Sequence, residues 1–287
     1  MTPLNSEERR SEVLAMDSLE ERAEKAEEAE DLQMALALWE ELATKNQDPV
    51  FFVRYGRVAE KLKRWEEAEN AFTKALRLNP TSSLIMENIG SLWANRTDKD
   101  ESDSFQTAKN WFLQALKHER HARLLTQLGA TYLALDDNAA ARDTFDEAIK
   151  IDPDYEEALY NLAVLDEKTN PQKAVELLEK AIQIDPDYAI AHQVLGKLAQ
   201  RAKDLPRAEY HFRRSLEIDP ADYWTNMYLA NLLGVLGRNA EAEQAYKFAT
   251  SVHPEIAGGV ETFARFLESI GKDDEATKVR AQVKPSV

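Results

Sequence analysis

The side chains best suited to chemistry in this chain are its five histidines and its many carboxylates. His118 and His121 are three residues apart, which would place both on one helical face and could begin a metal site. No further ligand follows at a suitable spacing, so we interpret them as surface residues at a helix end. His192 and His211 fall on two different helical segments, where we expect half-buried or surface side chains.

Motifs for other reactions are missing from the sequence. Gly258-Gly259 is not followed by the Lys-Thr or Lys-Ser of a phosphate-binding loop, and there is no nucleophile elbow. The carboxylates do not fall into a pattern that predicts a pocket with shifted pKa values. The sequence therefore predicts a protein that is not an enzyme and needs no metal and no cofactor, with catalysis by clustered acids as the alternative.

The amino-acid composition favours some classes of protein and argues against others. Only nine glycines and ten prolines in 287 residues favour an all-helical chain. A net charge of -16 argues against nucleic acid, whose affinity comes mainly from lysine and arginine, and permits a basic partner. No apolar run is long enough to span a membrane, the first ten residues lack the apolar core of a signal peptide, and the absence of cysteine suits a reducing compartment. We therefore expect a soluble, cytoplasmic protein.

The elements that must position any functional side chain are repeated along the chain. A large side chain follows each central alanine by four residues, except where Arg280 takes that place, and a glycine or alanine precedes it by about twelve. The second helical segment of many units ends at a proline, because proline cannot continue a helix. The central alanines are Ala35, Ala68, Ala108, Ala141, Ala174, Ala208, Ala242 and Ala276, with gaps of 33, 40, 33, 33, 34, 34 and 34 residues. Each unit is predicted to be a pair of helices that buries its apolar face by stacking on its neighbours.

The recurrence of small residue, alanine, aromatic and proline at a 34-residue period resembles the tetratricopeptide repeat family. The resemblance implies an all-α fold, a right-handed superhelix of about eight helix pairs, with the first helix of each pair lining a concave face. Residues 1–15 are expected to be a helical extension before a solenoid at 16–287. The repeats are predicted at about 16–48, 49–82, 83–121, 122–155, 156–188, 189–222, 223–256 and 257–287.

The third repeat departs from the pattern between its two helices. Residues 95–104 make this connection about six residues longer than in its neighbours, and most of them are polar or charged. We expect a mobile loop there. The first repeat is dense in glutamate, which predicts a solvated end cap.

The family register also implies which side chains face the concave groove, because it places positions 2, 5, 6, 9, 12 and 13 of each first helix there. Between the fifth and seventh repeats these positions combine aromatic and apolar residues with amides and cations, as peptide grooves do. The groove is therefore predicted to bind a partner through Tyr160, Asn161, Val164, Gln193, Val194, Lys197, Arg201, Trp224, Tyr228 and Asn231. The cations Lys197 and Arg201 would hold an acidic side chain or a terminal carboxylate.

The sequence thus predicts an adaptor or scaffold that holds a peptide or helix of another protein. One alternative is a structural protein that assembles with its own copies, so that a homo-oligomer is possible. Another is a co-chaperone that clamps the carboxy-terminal tail of a chaperone. Asn88 and Asn161 match the middle of the pattern that the family uses for this clamp, but Ile190 and Val194 stand where its last two cations belong. An RNA-binding helical repeat is disfavoured by the acidic balance.

Overall fold

The computed structural model describes residues 19–254 and 256–281, and within these ranges the regular elements are all helices. This confirms the predicted all-α array of helix pairs. The helices are α1 (19–28), α2 (Leu32–Asn46), α3 (Pro49–Lys61), α4 (Trp65–Leu78), α5 (Ser83–Asn95), α6 (Glu101–Ala115), α7 (Ala122–Ala134), α8 (Asn138–Ile151), α9 (Glu156–Asp166), α10 (Pro171–Ile184), α11 (Ala189–Arg201), α12 (Leu205–Ile218), α13 (Tyr223–Val235), α14 (Asn239–Val252), α15 (Ala257–Ser269) and α16 (Asp273–Ala281).

Short turns join the two helices of a pair. Most of these turns contain one residue with a left-handed backbone, such as Lys63 (φ 57°), Asp136 (φ 59°) and Gly237 (φ 72°). Aspartate side chains often cap the helix that follows, as Asp137 does by accepting from the amide of Ala140. Turns of this length hold the paired helices antiparallel and close together.

A glycine on the first helix lets the aromatic ring of the second helix approach the backbone. A Cβ atom added to Gly56 of α3 would lie 2.6 Å from Cε1 of Phe72 on α4, and one added to Gly90 of α5 would lie 2.6 Å from Cε1 of Phe112 on α6. Both rings are almost fully buried. The recurring glycine and phenylalanine of the sequence are therefore one contact, repeated from pair to pair.

The chain divides into two compact units, Met1–Pro153 and Asp154–Val287. In the first unit the core includes Trp39, Phe72 and Leu92. In the second unit the core includes Leu178 and Phe212. Consecutive helix pairs within each unit share these clusters, which is how a stacked array buries a continuous core.

The connection between α5 and α6 differs from the mobile loop that we expected. Helix α6 begins at Glu101, so only residues 96–100 link the two helices. The side chain of Arg96 is 1% exposed, its guanidinium lies 4.5 Å above the ring of Trp93, and it donates to Glu69 at 2.7 Å and to Asp98 at 2.9 Å. The polar insertion is therefore anchored by a buried cation, a role that composition alone did not reveal.

The predicted extension at residues 1–15 lies outside the described residues. The first pair, α1 and α2, is more than a solvated cap, because Ala23 of α1 and Trp39 of α2 are fully buried. None of the described helices has the length and apolar character needed to cross a membrane.

Candidate functional site

The ten residues predicted to line the groove all lie in the second unit, on α9, α11 and α13. These are the first helices of three successive pairs. Tyr160, Asn161 and Val164 lie on α9, Gln193, Val194, Lys197 and Arg201 on α11, and Trp224, Tyr228 and Asn231 on α13. We call the surface that these residues and Ile190 form the groove face.

An ion cluster joins α9 to α11. Glu167, the C-cap residue that follows α9, accepts from Arg201 at 2.6 Å and lies 3.4 Å from the ammonium of Lys197. Its side chain is 11% exposed, whereas that of Arg201 is 53% exposed. One carboxylate thus serves two cations, which leaves this end of the groove face with excess positive charge in a chain whose net charge is -16.

Amide hydrogen bonds join α11 to α13. The Nε2 of Gln193 donates to Asp222 at 2.8 Å and to Thr225 at 2.7 Å. The Nε2 of Gln200 donates to Asn231 at 3.2 Å. These bonds fix the distance between the two helices and use the amide donor of Gln193 inside the protein rather than leaving it for a partner.

The aromatic side chains of the groove face are of two kinds. Tyr160 and Tyr228 are half-buried: Tyr160 meets Tyr188 edge-on at 5.6 Å, and Tyr228 stacks on Phe212 at 5.8 Å. Burial and the nearby carboxylate of Glu167 raise the pKa of Tyr160. Trp224 is different, because 55% of its surface is exposed.

Aliphatic residues extend the exposed apolar surface. Ile190 is 43% exposed and Val164 is 37% exposed. Ile190 and Trp224 each occupy the second residue of their helix, α11 and α13. The apolar surface therefore lies toward the first turns of these two helices.

Val194 is the predicted groove residue that the structure places elsewhere. It is 3% exposed and packs with Ala163 and Leu198 in the core. It packs against Ala163 of α9, so its β-branched side chain fills the space between these neighbouring first helices. It supports the groove face but offers a partner almost no surface.

Sequence reasoning missed Glu167, the acid that organises the cations. Glu167 occupies position 12 of its repeat, one of the positions that the family register assigns to the concave side, so its place was available from the sequence. Asp222 was also missed. It caps α13 by accepting from the amide of Thr225 at 2.6 Å, and it simultaneously accepts from Gln193.

The first helices of the first unit carry a separate polar network. Glu87 is almost fully buried, lies 2.9 Å from Arg123, and is 3.4 Å from the Nε2 of His121. Asn95 donates to Glu60 at 2.9 Å. These pairs link α5 to α7 and α3 to α5, and so they brace neighbouring repeats.

His118 and His121 lie at helix ends as expected, His118 exposed after α6 and His121 directly before α7. The Nδ1 of His121 accepts from the amide of Leu124 at 3.2 Å and caps α7. His192 and His211 are 4% and 5% exposed, so the expectation that they are half-buried or surface residues is wrong. In the part of the chain that the structure describes, no three histidine, cysteine or acidic residues are grouped to hold a metal ion.

Comparison with known proteins agrees with this architecture. A family profile described as tetratricopeptide repeat matches residues 6–177, and a second profile of the same description matches residues 164–223. No curated protein sequence matches the chain.

Solved structures with similar folds share little sequence with this chain. PilF of Pseudomonas aeruginosa is 15% identical, with a TM-score of 0.63 over 74% of this chain and 94% of that one. The C-terminal part of a repeat-containing protein from Cytophaga hutchinsonii is 16% identical, with a TM-score of 0.57 over 82% and 96%. YrrB, described as a TPR protein with an unusual peptide-binding site, is 16% identical, with a TM-score of 0.46 over 65% and 95%. Since the first profile spans more than half of the residues, and the helix pairs repeat as the profile requires, the chain belongs to the tetratricopeptide repeat family.

Proposed function

We propose that this protein is a non-enzymatic adaptor that holds a segment of a partner protein on the groove face of α9, α11 and α13. Family membership supports a protein-interaction scaffold in general. The absence of cysteine suits work in a reducing compartment such as the cytoplasm. The arrangement of the groove face suggests what kind of segment would bind.

The observation that carries the proposal is the polarity of this surface. Exposed apolar side chains, Ile190 and Trp224, lie at the first turns of α11 and α13. The cations Lys197 and Arg201 lie toward the end of α11, where a single acid partly neutralises them. At 1.5 Å per residue, the distance along α11 from Ile190 to Arg201 is about 16 Å.

A matching segment therefore carries an apolar side chain at one end and a carboxylate about 10–16 Å away. That spacing corresponds to roughly three to five residues of extended chain. The apolar anchor would cover Trp224, whose indole gives a large contact area at low entropic cost. The carboxylate would complete the coordination of Arg201, whose fork of donors suits a second acid.

The helices are already braced by Glu167 and by the bonds of Gln193, so the surface needs little ordering when a segment arrives. Preorganisation of this kind lowers the entropic cost of binding, and affinity then depends on a few anchors. The two half-buried tyrosines, Tyr160 and Tyr228, would form the floor between the anchors. Asn161 is a weaker contributor, because its amide already donates to the Glu157 carbonyl at 2.8 Å.

Selection from a random peptide library on the purified full-length chain tests the proposal. We expect the selected peptides to share an acidic and an apolar residue at the stated spacing. Their binding should fall at least tenfold in each of two single variants, Trp224→Ala and Arg201→Glu, as judged by fluorescence anisotropy.

A matched control lies on the second helices of the same unit. Tyr210 is 62% exposed on α12 and Phe248 is 43% exposed on α14. The double variant Tyr210→Ala/Phe248→Ala removes comparable exposed aromatic area and should leave the dissociation constant unchanged. Loss of binding in this control, with retention in both groove variants, would move the site to the second helices and refute the proposal.

A further inference from the structure

Two buried imidazoles face each other inside the sixth helix pair. The Nδ1 of His192 on α11 is 3.0 Å from the Nδ1 of His211 on α12, and the ring centroids are 5.3 Å apart. At this distance one nitrogen must carry a proton and the other must accept it. The contact holds α11 and α12 together only while the two Nδ1 atoms share a single proton.

Burial is the largest influence on His192 and lowers its pKa, while the backbone of Pro186 acts in the opposite sense. Whichever ring donates in the contact, the other accepts at its Nδ1. A further proton therefore has no acceptor left between the two rings.

The charged groups around the pair do not favour an additional cation. On α12, Arg207 lies near His211 and Arg214 lies near His192, so both add positive potential. Asp187, in the turn before α11, and Glu217 on α12 act in the opposite sense on His192, but both are already bonded to Arg214, at 2.8 Å and 3.0 Å.

The remaining neighbours come from α10, α12 and α13. From α10, Glu179 accepts from Arg207, which occupies that carboxylate. Tyr210 meets His211 edge-on at 5.0 Å. One turn further along α12, Ser215 meets Thr225 of α13 through their hydroxyl groups at 3.4 Å. The carboxylate on this side is Asp222, which already accepts from Gln193 and from the amide of Thr225.

We propose that His192 and His211 form an acid-sensitive latch, which holds the first turn of α11 against α12 at neutral pH and releases it when the pair takes up protons. Two protonated rings would place two N–H groups face to face, and a single extra proton would bury a cation beside Arg207. Opening the helix pair removes both the contact between the N–H groups and the buried cation, because the rings then reach water.

Release of this turn reaches the groove face through the chain itself. Ile190 and Gln193 flank His192 on α11, and Gln193 holds Asp222 and Thr225 of α13. Acid would therefore disorder the apolar end of the groove face before the whole unit unfolds. The latch does not depend on the proposed function, although its effect on a bound segment does.

The size of the effect follows from the imidazole of His211. Burial first, and then the neighbouring His192 and Arg207, lower its pKa to about 4, whereas an open chain would have the ordinary value of 6.5. Opening is therefore favoured about 20-fold more at pH 5 than at pH 7. The gain in opening is present below 6.5 and grows as the pH falls toward 4.

Amide hydrogen exchange on the full-length chain, corrected for intrinsic exchange rates, tests the latch without any ligand. We expect protection across α11 to fall about 20-fold between pH 7 and pH 5, while α7 in the first unit changes little. His211→Asn keeps a donor toward His192 but does not titrate, so its α11 protection should be independent of pH. His118→Asn replaces an exposed histidine and should behave as the wild type does.

Equal protection of α11 at both pH values in the wild type, or an equal fall in His211→Asn, would overturn the proposal. If His211→Asn does not fold, the imidazole resonances of the wild type decide. Titration of His211 far below 6.5 supports the latch, and titration near 6.5 in the folded protein overturns it. None of these outcomes requires the groove face to bind anything, so the latch and the proposed function fail independently.

Discussion

Substituting Gly56 by alanine tests the contact that repeats through the array. The new Cβ would lie 2.6 Å from Cε1 and 2.8 Å from Cδ1 of Phe72, which is fully buried and cannot turn away without displacing its neighbours. Overpacking of this kind costs roughly 1–3 kcal/mol, while alanine gains up to about 1 kcal/mol over glycine inside a helix. We expect a net loss of about 1–2 kcal/mol in the free energy of unfolding.

The fifth repeat supplies the compensating change. There Ala163 stands in place of the glycine, and Leu178 stands in place of the phenylalanine, in one buried cluster. Phe72→Leu alone should cost about 1 kcal/mol, and Gly56→Ala added to it should then stabilise the protein by a few tenths to 1 kcal/mol. The two substitutions are thus coupled by about 2 kcal/mol, with the double variant more stable than the sum of its parts.

Urea unfolding followed by circular dichroism at a fixed protein concentration gives these free energies. Gly258→Ala is the matched control, because nothing lies within 4 Å of its added Cβ. It should leave stability unchanged or slightly raised. A Gly56→Ala protein that is as stable as the Gly258→Ala protein, or additive effects in the double variant, would refute the packing described for the helix pairs.

Three further perturbations follow from the buried polar groups. Arg96→Lys should lower the free energy of unfolding in urea by about 1–2 kcal/mol, because an ammonium cannot lie flat over Trp93 while making the same bonds. A variant as stable as the wild type would contradict the anchoring role. Arg123→Ala should lower the free energy of unfolding by about 2 kcal/mol or more, because it leaves the buried Glu87 carboxylate without this cation. Adding Glu87→Gln should restore part of the lost stability, and a loss no smaller in the double variant would exclude this cause. As the pH falls from 6.5 to 4, protonation of His211 should lower the free energy of unfolding of the wild type by up to about 3 kcal/mol. Urea midpoints that fall in parallel for the wild type and His211→Asn would deny that contribution.

The sequence predicted the helix pairs because their determinants are local and repeated. A small residue, an alanine and an aromatic recur at a fixed period, and each acts on a neighbour within the same pair. Gly90 and Phe112 show why this works even at the irregular third repeat. They keep the same contact although six additional residues separate them compared with Gly56 and Phe72.

The polar details were harder to predict, since they depend on which long side chains meet across repeats. Arg96 lies in a segment whose composition is typical of a mobile loop, yet its guanidinium is buried by Trp93 and held by two acids. His192 and His211 are nineteen residues apart, and only the crossing of their helices brings the rings together. The pattern of residue types along the chain does not predict such contacts.

The residues predicted to line the groove face include exposed side chains and one buried side chain. Trp224, which the family register selected, is exposed, whereas Val194, which it also selected, is buried. The register gives the direction of a side chain and not how closely the next helix covers it. Which segment this surface binds stays a prediction.

Crosslinking of a bound peptide is the most direct test of the groove face. A photoreactive amino acid would replace Trp224 in one protein and Tyr210 in another, and each would be irradiated with a library-selected peptide that carries an acidic and an apolar residue. We expect the peptide to be crosslinked from position 224 and not from position 210, with the attachment on or beside its apolar residue. Crosslinking from position 210 alone would contradict binding along α9, α11 and α13.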